Sequence, residues 1–452
     1  MLNKQSIAIV GAGLCGSLLG ISLSKRGFKV TVFEKRQDPR TADMESGRSI
    51  NLALSDRGLM ALDRMGIGKE ARKICIPMKG RMIHDTEGNT RFSPYSGREE
   101  DYINSISRTD LNRILIEALD ESENVKIHFN SQVHTLGFEH NEIDLEVNGV
   151  RKKESYDFII GADGAGSIVR RTMDKELEGF ESTSEFLSHG YKELEIPHDN
   201  GDYRIHSNSL HIWPRQKFMI IALPNMDGSF TVTMFNPYET SEGFNELDEK
   251  QEVEAYFDKY FKDLKPLLPE LQDDYNNNPV GRLGTVKCFP WHHKGKILLI
   301  GDAAHAIVPF YGQGMNASFE DVFVFDQLLD AYKGEDFTEF CELFQTARKE
   351  NCDAIADLAL DNFIEMQDKV DDKAFIQKRK LEMKLEQEVD GYYSKYSLVT
   401  FREDLSYKEA MEQGRKQDEI LISYCSQEDY KMPENKEELD TVFNDLKKKI
   451  NG

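Results

Sequence analysis

Three glycine-rich segments hold the residues of this sequence best suited to chemistry. They are GAGLCG (Gly11 to Gly16), GADGAGSIVR (Gly161 to Arg170) and GDAAHAIVPFYGQGMN (Gly301 to Asn316). Gly11, Gly13 and Gly16 match the spacing G-x-G-x-x-G, whose glycines give a tight turn, close backbone approach to a pyrophosphate and close helix packing. The helix opening there turns its first N–H groups toward the phosphates. Glu34 follows Gly11 by 23 residues, where a carboxylate accepts hydrogen bonds from ribose hydroxyls. That motif alone fits FAD and NAD equally. Asp302, just past a β-branched run, can hold the ribityl hydroxyls of a flavin. The stretch Pro309 to Asn316 then turns into a helix whose N–H groups and positive dipole end suit the flavin pyrimidine edge. Three such strand ends imply one large cofactor spanning a parallel sheet, and together they indicate FAD. The sequence has no second complete fingerprint for a nicotinamide cofactor, so NADPH would bind transiently over the flavin domain.

Other polar residues in these segments have plainer readings. Asp163 and Gly164 form an Asp-Gly turn with Arg170 in the following helix. His305, among Ala304, Ala306 and Ile307, reads as a packed, hydrogen-bonded histidine rather than a base. His292 and His293 fall in a loop beside Pro290 and Trp291, and Cys15 reads as a small packing residue against the cofactor.

The elements that must position these groups follow from apolar patterning. SIAIV (6–10), DFII (157–160) and KILLI (296–300) are buried strands, each leading into one glycine segment. Leu14 to Arg26 is a helix, FKVTVFE (28–34) a strand, and 47–66 a loop, a strand and a helix from about Ser55. RMIHD (81–85) and TRFSPY (90–95) form a hairpin turning about Gly88. A helix over 107–119 is capped by Ser107 or Thr109. Strands at 125–129 and 141–149 precede the 157–160 run. From 181 to 282 the alternation predicts an antiparallel sheet of short strands, and beyond 330 the pattern is helical. The fold class is therefore α/β. A Rossmann-like FAD-binding domain (1–75, 100–180 and 283–330) is joined by a mixed or antiparallel-sheet substrate domain (76–99 and 181–282). A C-terminal helical region (331–452) covers the substrate site.

Composition narrows the class. Of 452 residues, 57 are Lys or Arg and 80 are Asp or Glu, giving a net charge of −23. Such a balance argues against nucleic acid or an anionic membrane as partner. Six cysteines occur without a C-x-x-C pair, and no metal motif has recognisable spacing. No secretory-signal layout is present and no apolar run approaches the roughly 18 residues that span a bilayer. A reduced, cytoplasmic protein, monomeric or homodimeric, is expected.

The three motifs, in this order and spacing, resemble those of the single-component flavoprotein aromatic hydroxylases, the family of para-hydroxybenzoate hydroxylase. Narrower segments resemble the branch that acts on L-kynurenine, over roughly residues 5 to 402. These are GRSINLALSDRG (47–58), IPMKGRMIHD (76–85), HGYKEL (189–194), LHIWPR (210–215), MIIALPN (219–225) and AHAIVPFYGQGMNASFED (304–321). The resemblance implies hydroxylation of L-kynurenine at ring carbon 3 with FAD, NADPH and O2. A flavin C4a-hydroperoxide would carry the chemistry, so no protein residue is assigned as catalytic. It also implies that Arg81, Tyr95, Asn362 and Tyr396 contact the amino-acid end of the substrate. The implied flavin contacts are Cys15, Phe33, Glu34, Lys35, Arg36, Ala53, Arg108, Asp302, Met315 and Asn316. The hairpin gives partial support: turning about Gly88, it makes positions 81 and 95 face each other, an Arg fork beside a phenol suited to a carboxylate. Eukaryotic relatives carry a hydrophobic C-terminal anchor, whereas 403–452 is charged and helical, implying a soluble bacterial-type enzyme. The alternatives are a hydroxylase of another aromatic acid, a flavin reductase, or a non-catalytic flavin-binding protein.

Overall fold

The computed structural model describes residues 5–41, 51–334, 336–368 and 372–451. Positions 47–50 of the GRSINLALSDRG segment lie outside them. The chain forms two compact units: Met1–Cys75 with Ile106–Phe186 and Gly284–Ala356, and Ile76–Ser105 with Leu187–Leu283 and Asp357–Gly452.

The first unit is built on a six-stranded sheet in the order His292–His293, Ile297–Leu299, Phe158–Gly161, Ser6–Val10, Lys29–Phe33 and Val125–His128. Its five longer strands are mutually parallel. The central runs are apolar at nearly every position because both sheet faces are covered. His292–His293, expected in a loop, is instead a two-residue edge strand antiparallel to Ile297–Leu299. Helix Leu14–Lys25 packs into the same core. Helix Arg108–Asp120 starts at Ser107, whose hydroxyl accepts the Asp110 N–H at 3.2 Å. A three-stranded antiparallel meander spans Ser131–Gly137, Glu142–Val147 and Val150–Ser155.

Within the second unit, strand Glu181–Ile196, which enters it at Leu187, pairs with Phe230–Pro237. Phe218–Pro224, Leu210–Arg215, Gly80–His84 and Thr90–Pro94 follow in order. The pairs are antiparallel except one, since Leu210–Ile212 runs parallel to Arg81–Ile83. The 181–282 region also holds two helices that strand alternation did not suggest, Lys250–Tyr260 and Leu271–Asn277. The first is announced by a capping box between Glu249 and Glu252 and by Val253, Tyr256 and Phe257 at helical spacing. These apolar residues pack with Trp213, Phe230 and Phe261 into the core of this unit.

The hairpin register differs from expectation. Asp85 accepts the N–H groups of Glu87 and Asn89 at 2.9 and 2.8 Å, centring the turn on residue 87. Arg81 therefore pairs with Ser93 rather than with Tyr95. Tyr95 lies two residues beyond Ser93, so it still shares Arg81's face, diagonally.

The C-terminal helices Lys373–Glu388, Tyr407–Cys425 and Lys436–Asn451 bury Leu381, Leu385, Tyr392, Leu421, Leu439 and Leu446. Among the described residues, no helix is long and apolar enough to cross a membrane. Both tryptophans are fully buried, Trp291 in the first unit and Trp213 in the second. Phe257 is fully enclosed. Phe257→Ala should cost about 3–5 kcal/mol, read as a lowered midpoint in chemical denaturation.

Candidate active site

The three glycine segments leave the same ends of three adjacent parallel strands, Ser6–Val10, Phe158–Gly161 and Ile297–Leu299. Gly11 sits at φ +103°, where a side chain would be strained and a Cβ would meet the Ala162 carbonyl oxygen at 2.6 Å. Gly16 is the close helix contact. Gly13, by contrast, has extended backbone and nothing within 4 Å of an added Cβ. That open face at the start of a 12-residue helix fits a pyrophosphate.

Glu34 is buried at the end of the neighbouring strand. Its Oε2 accepts the Ala12 N–H at 2.9 Å, and its Oε1 accepts the Arg36 N–H at 3.0 Å and Nε at 2.9 Å. Burial pushes its pKa up, but Arg36 and the Ala12 N–H outweigh that and hold it below the usual range. Lys35 and Arg36 are exposed, whereas the Phe33 ring is buried against His128, leaving its carbonyl to accept the Gly11 N–H.

On the flavin side, Asp302 opens a short helix after Gly301. Burial raises its pKa more than His305 and Arg108 lower it, and the hydrogen bond it accepts from Ser318 Oγ is long, at 3.5 Å. A desolvated carboxylate with spare acceptor capacity fits the ribityl hydroxyls of a flavin. Asn316, fully buried, donates to the carbonyls of Ala53 (2.9 Å) and Gly312 (3.1 Å) and accepts the Ser55 N–H at 3.0 Å. It ties the start of helix Gly314–Ala331, which also carries Met315, to the strand Asn51–Leu54. Cys15 Sγ reaches the Ser318 carbonyl at 3.6 Å, and burial pushes its thiol pKa up. The residues of the first unit thus fit FAD.

In the second unit the Arg81 guanidinium lies over two tyrosine rings, 4.9 Å from the Tyr95 centroid and 4.3 Å from that of Tyr396. The rings stack at 5.7 Å and 14°, and Phe401 meets Tyr95 edge-on. Burial, with Tyr396 alongside, pushes the Tyr95 phenol pKa up, and its buried hydroxyl makes no well-aligned hydrogen bond. Asn362 is half-buried in the interior of helix Phe337–Asp368.

Residues 4–359 match the FAD binding domain family. The kynurenine 3-monooxygenase of Cytophaga hutchinsonii is 45% identical over 426 residues, covering 92% of this chain and 93% of the relative. The kynurenine 3-monooxygenase of Dictyostelium discoideum is 42% identical, covering 100% and 99%. The chain belongs to the kynurenine 3-monooxygenase family. Solved 2-methyl-3-hydroxypyridine-5-carboxylic acid oxygenase is similar in fold at 19% identity, with TM-score 0.66 over 89% of this chain and 97% of that one. P. aeruginosa PqsL, solved with 2-aminobenzoylacetate, gives 17%, 0.65, 81% and 97%.

Kynurenine 3-monooxygenase membership explains the glycine segments, but not a buried charge network beneath them. Asp321 Oδ2 accepts the Gly301 N–H at 2.9 Å and meets His305 Nε2 at 2.6 Å, while its Oδ1 meets Arg348 Nε at 2.7 Å. Glu320 pairs with Arg57 at 2.8 Å and Arg348 at 2.6 Å. Asp321 therefore holds the turn that presents Asp302 and ties up His305. The segment Asp163 to Arg170 is likewise structural. Asp163 accepts from Ser167 Oγ and the Ile168 N–H, and Arg170 donates to the Ala303 carbonyl at 2.7 Å. Arg57 and Arg348 were unmarked in sequence because their partners are remote along the chain.

Two outcomes follow. A side chain on Gly13 would enter open space, so Gly13→Val should fold normally by circular dichroism yet lose about 1–3 kcal/mol of FAD affinity in a flavin titration. Burial opposes Asp321 ionisation, but His305 and Arg348 bring its pKa down to about 2. Its stabilisation is therefore full above its unfolded value of about 3.9 and disappears as pH falls toward 2, on the order of 2 kcal/mol. Asp321→Asn should flatten the acid limb of a stability–pH curve by that amount.

Proposed function

We propose that the chain hydroxylates L-kynurenine at ring carbon 3, giving 3-hydroxykynurenine, with bound FAD and with NADPH and O2 as co-substrates. The observation that carries this reading is the Arg81 guanidinium set over Tyr95 and Tyr396, in a chain 45% identical to a kynurenine 3-monooxygenase. An aromatic amino acid needs a fork for its carboxylate and a flat wall for its body. Arg81 supplies the fork through paired, charge-assisted hydrogen bonds. The Tyr95 hydroxyl, buried without an aligned partner, gains one from the ligand. Tyr396 forms the wall, and Asn362 offers an amide to the amino-acid end.

Bound FAD supplies the hydride acceptance and the activation of O2. Gly13 would meet its pyrophosphate by backbone, with Gly11 and Gly16 shaping the turn and the helix approach that leave this face open, and Phe33, Glu34, Lys35 and Arg36 would hold its adenosine end. Cys15, Ala53, Arg108, Asp302, Met315 and Asn316 hold its ribityl and ring end. The ring carbon attacked is ortho to the aniline nitrogen, which already enriches it, so no side chain is assigned as general base. The protein's share is fixing the substrate and excluding water.

Purified protein incubated with L-kynurenine and NADPH should give a product heavier by one oxygen in mass spectrometry, and its absence would overturn the reading. Arg81→Ala should raise the KM for kynurenine roughly 10- to 100-fold, the loss of a charged hydrogen-bonding partner, with flavin content unchanged. An unaltered KM would remove Arg81 from the site.

A further inference from the structure

Glu386 lies in the last turn of helix Lys373–Glu388, with a side chain only 4% exposed. Its Oε2 accepts from Arg98 Nη2 at 2.8 Å, and Arg98 lies three residues beyond Tyr95. Its Oε1 accepts the backbone N–H of Ser394 at 2.6 Å. Ser394 is the N-cap of helix Lys395–Thr400, which carries Tyr396. The Glu386 carbonyl accepts the Gly97 N–H at 3.1 Å. One residue thus holds, by separate atoms, the segments that bear the two stacked rings.

The surroundings fix this bridge. Arg98 is anchored by Asp101 at 2.7 Å, donates to the Tyr392 carbonyl at 3.1 Å, and lies 4.0 Å from the Tyr393 ring centroid. Ser96 Oγ also donates to Asp101, at 2.6 Å. Gly97 packs so closely that an added Cβ would meet the Gln387 backbone at 2.7 Å. Within helix Lys395–Thr400, Lys395 pairs with Glu365 at 2.7 Å and with Asp418 at 2.6 Å. Glu365 stands one turn beyond Asn362 on its helix.

We propose that Glu386 is a positioning residue for the substrate clamp, fixing Tyr95 and Tyr396 relative to each other through Arg98 and Ser394. This rests on the reading of Arg81, Tyr95 and Tyr396 as substrate anchors. The carboxylate is required because both partners are donors. A glutamine amide has one acceptor oxygen and can satisfy only one of them, its NH2 opposing the other. Releasing either segment displaces a ring that a bound aromatic amino acid must meet, and small displacements at such walls are costly.

The test uses the FAD-loaded enzyme. Glu386→Gln should keep full flavin absorbance, raise the KM for L-kynurenine about tenfold and change kcat far less. It should also lower product formed per NADPH oxidised as water gains access. Arg98→Lys, which keeps a cation but cannot span Asp101 and Glu386, should do the same. The double variant should be no worse than the poorer single one. If Glu386→Gln does not accumulate, Arg98→Lys alone decides. A lowered melting temperature with wild-type KM and coupling would overturn the proposal, leaving Glu386 a purely structural residue. The Arg81→Ala control separates the two readings. If it too leaves KM unchanged, the clamp itself is refuted; if it raises KM while the Glu386 and Arg98 variants do not, only the positioning role is lost.

Discussion

Helix Leu14–Lys25 lies so close to strand Ser6–Val10 that a methyl group on Gly16 would sit 2.0 Å from the Gly11 carbonyl oxygen. That approach brings the helix N-terminus directly over the strand end and leaves Gly13 facing open space. It also lets two successive N–H groups of the loop reach the neighbouring strand, Gly11 to the Phe33 carbonyl and Ala12 to Glu34. The groups suited to the pyrophosphate and those suited to the ribose are thus set by one contact. The Gly161 segment joins in because Gly11 abuts Ala162, and the Gly301 segment follows through the next strand.

Charge, rather than apolar packing, fixes the third segment. Burying Asp321, Glu320, Arg57, Arg348 and His305 together costs solvation that pairing only partly offsets, and removing one partner from such a set typically costs about 3–5 kcal/mol. What the arrangement secures is direction. Asp321 pins the Gly301 N–H, and the turn so formed presents Asp302. His305, Asp321 and Cys352 bring donor atoms within 4.8 Å of one another, with the Arg348 guanidinium seated against the carboxylate as its counter-ion. The second unit repeats the device among its helices, where Lys378, Asp418, Lys395 and Glu365 neutralise one another out of solvent.

Local signals carried much of this into the sequence. Glycine spacing after apolar runs located the three strand ends, and Ser107 marked a helix start, because each depends on residues a few positions apart. The hairpin shows where such reasoning fails by one residue. Centring on Gly88 ignored Asp85, whose side chain closes the turn earlier; parity nevertheless kept Arg81 and Tyr95 on one face. Helix Lys250–Tyr260 was hidden by the surrounding strand alternation, although its capping box was readable. Tyr396, Asn362 and the Arg98–Glu386 bridge could not be found by pattern; Tyr396 meets Arg81 from the far end of the chain, and Arg98 meets Glu386 288 residues later. Family resemblance alone pointed to the first two.

Each unit encloses a single indole, and each indole is set against an imidazole. Trp291 stacks on His305 at 5.1 Å and donates to the Cys288 carbonyl, while Trp213 stacks on His84 at 3.9 Å and donates to Asp263. The protein therefore carries one intrinsic fluorophore per unit, each beside a potential quencher that loss of local packing would remove. Replacing either tryptophan with phenylalanine leaves an emission signal belonging to one unit alone, so the melting of the two halves can be followed separately without an added dye.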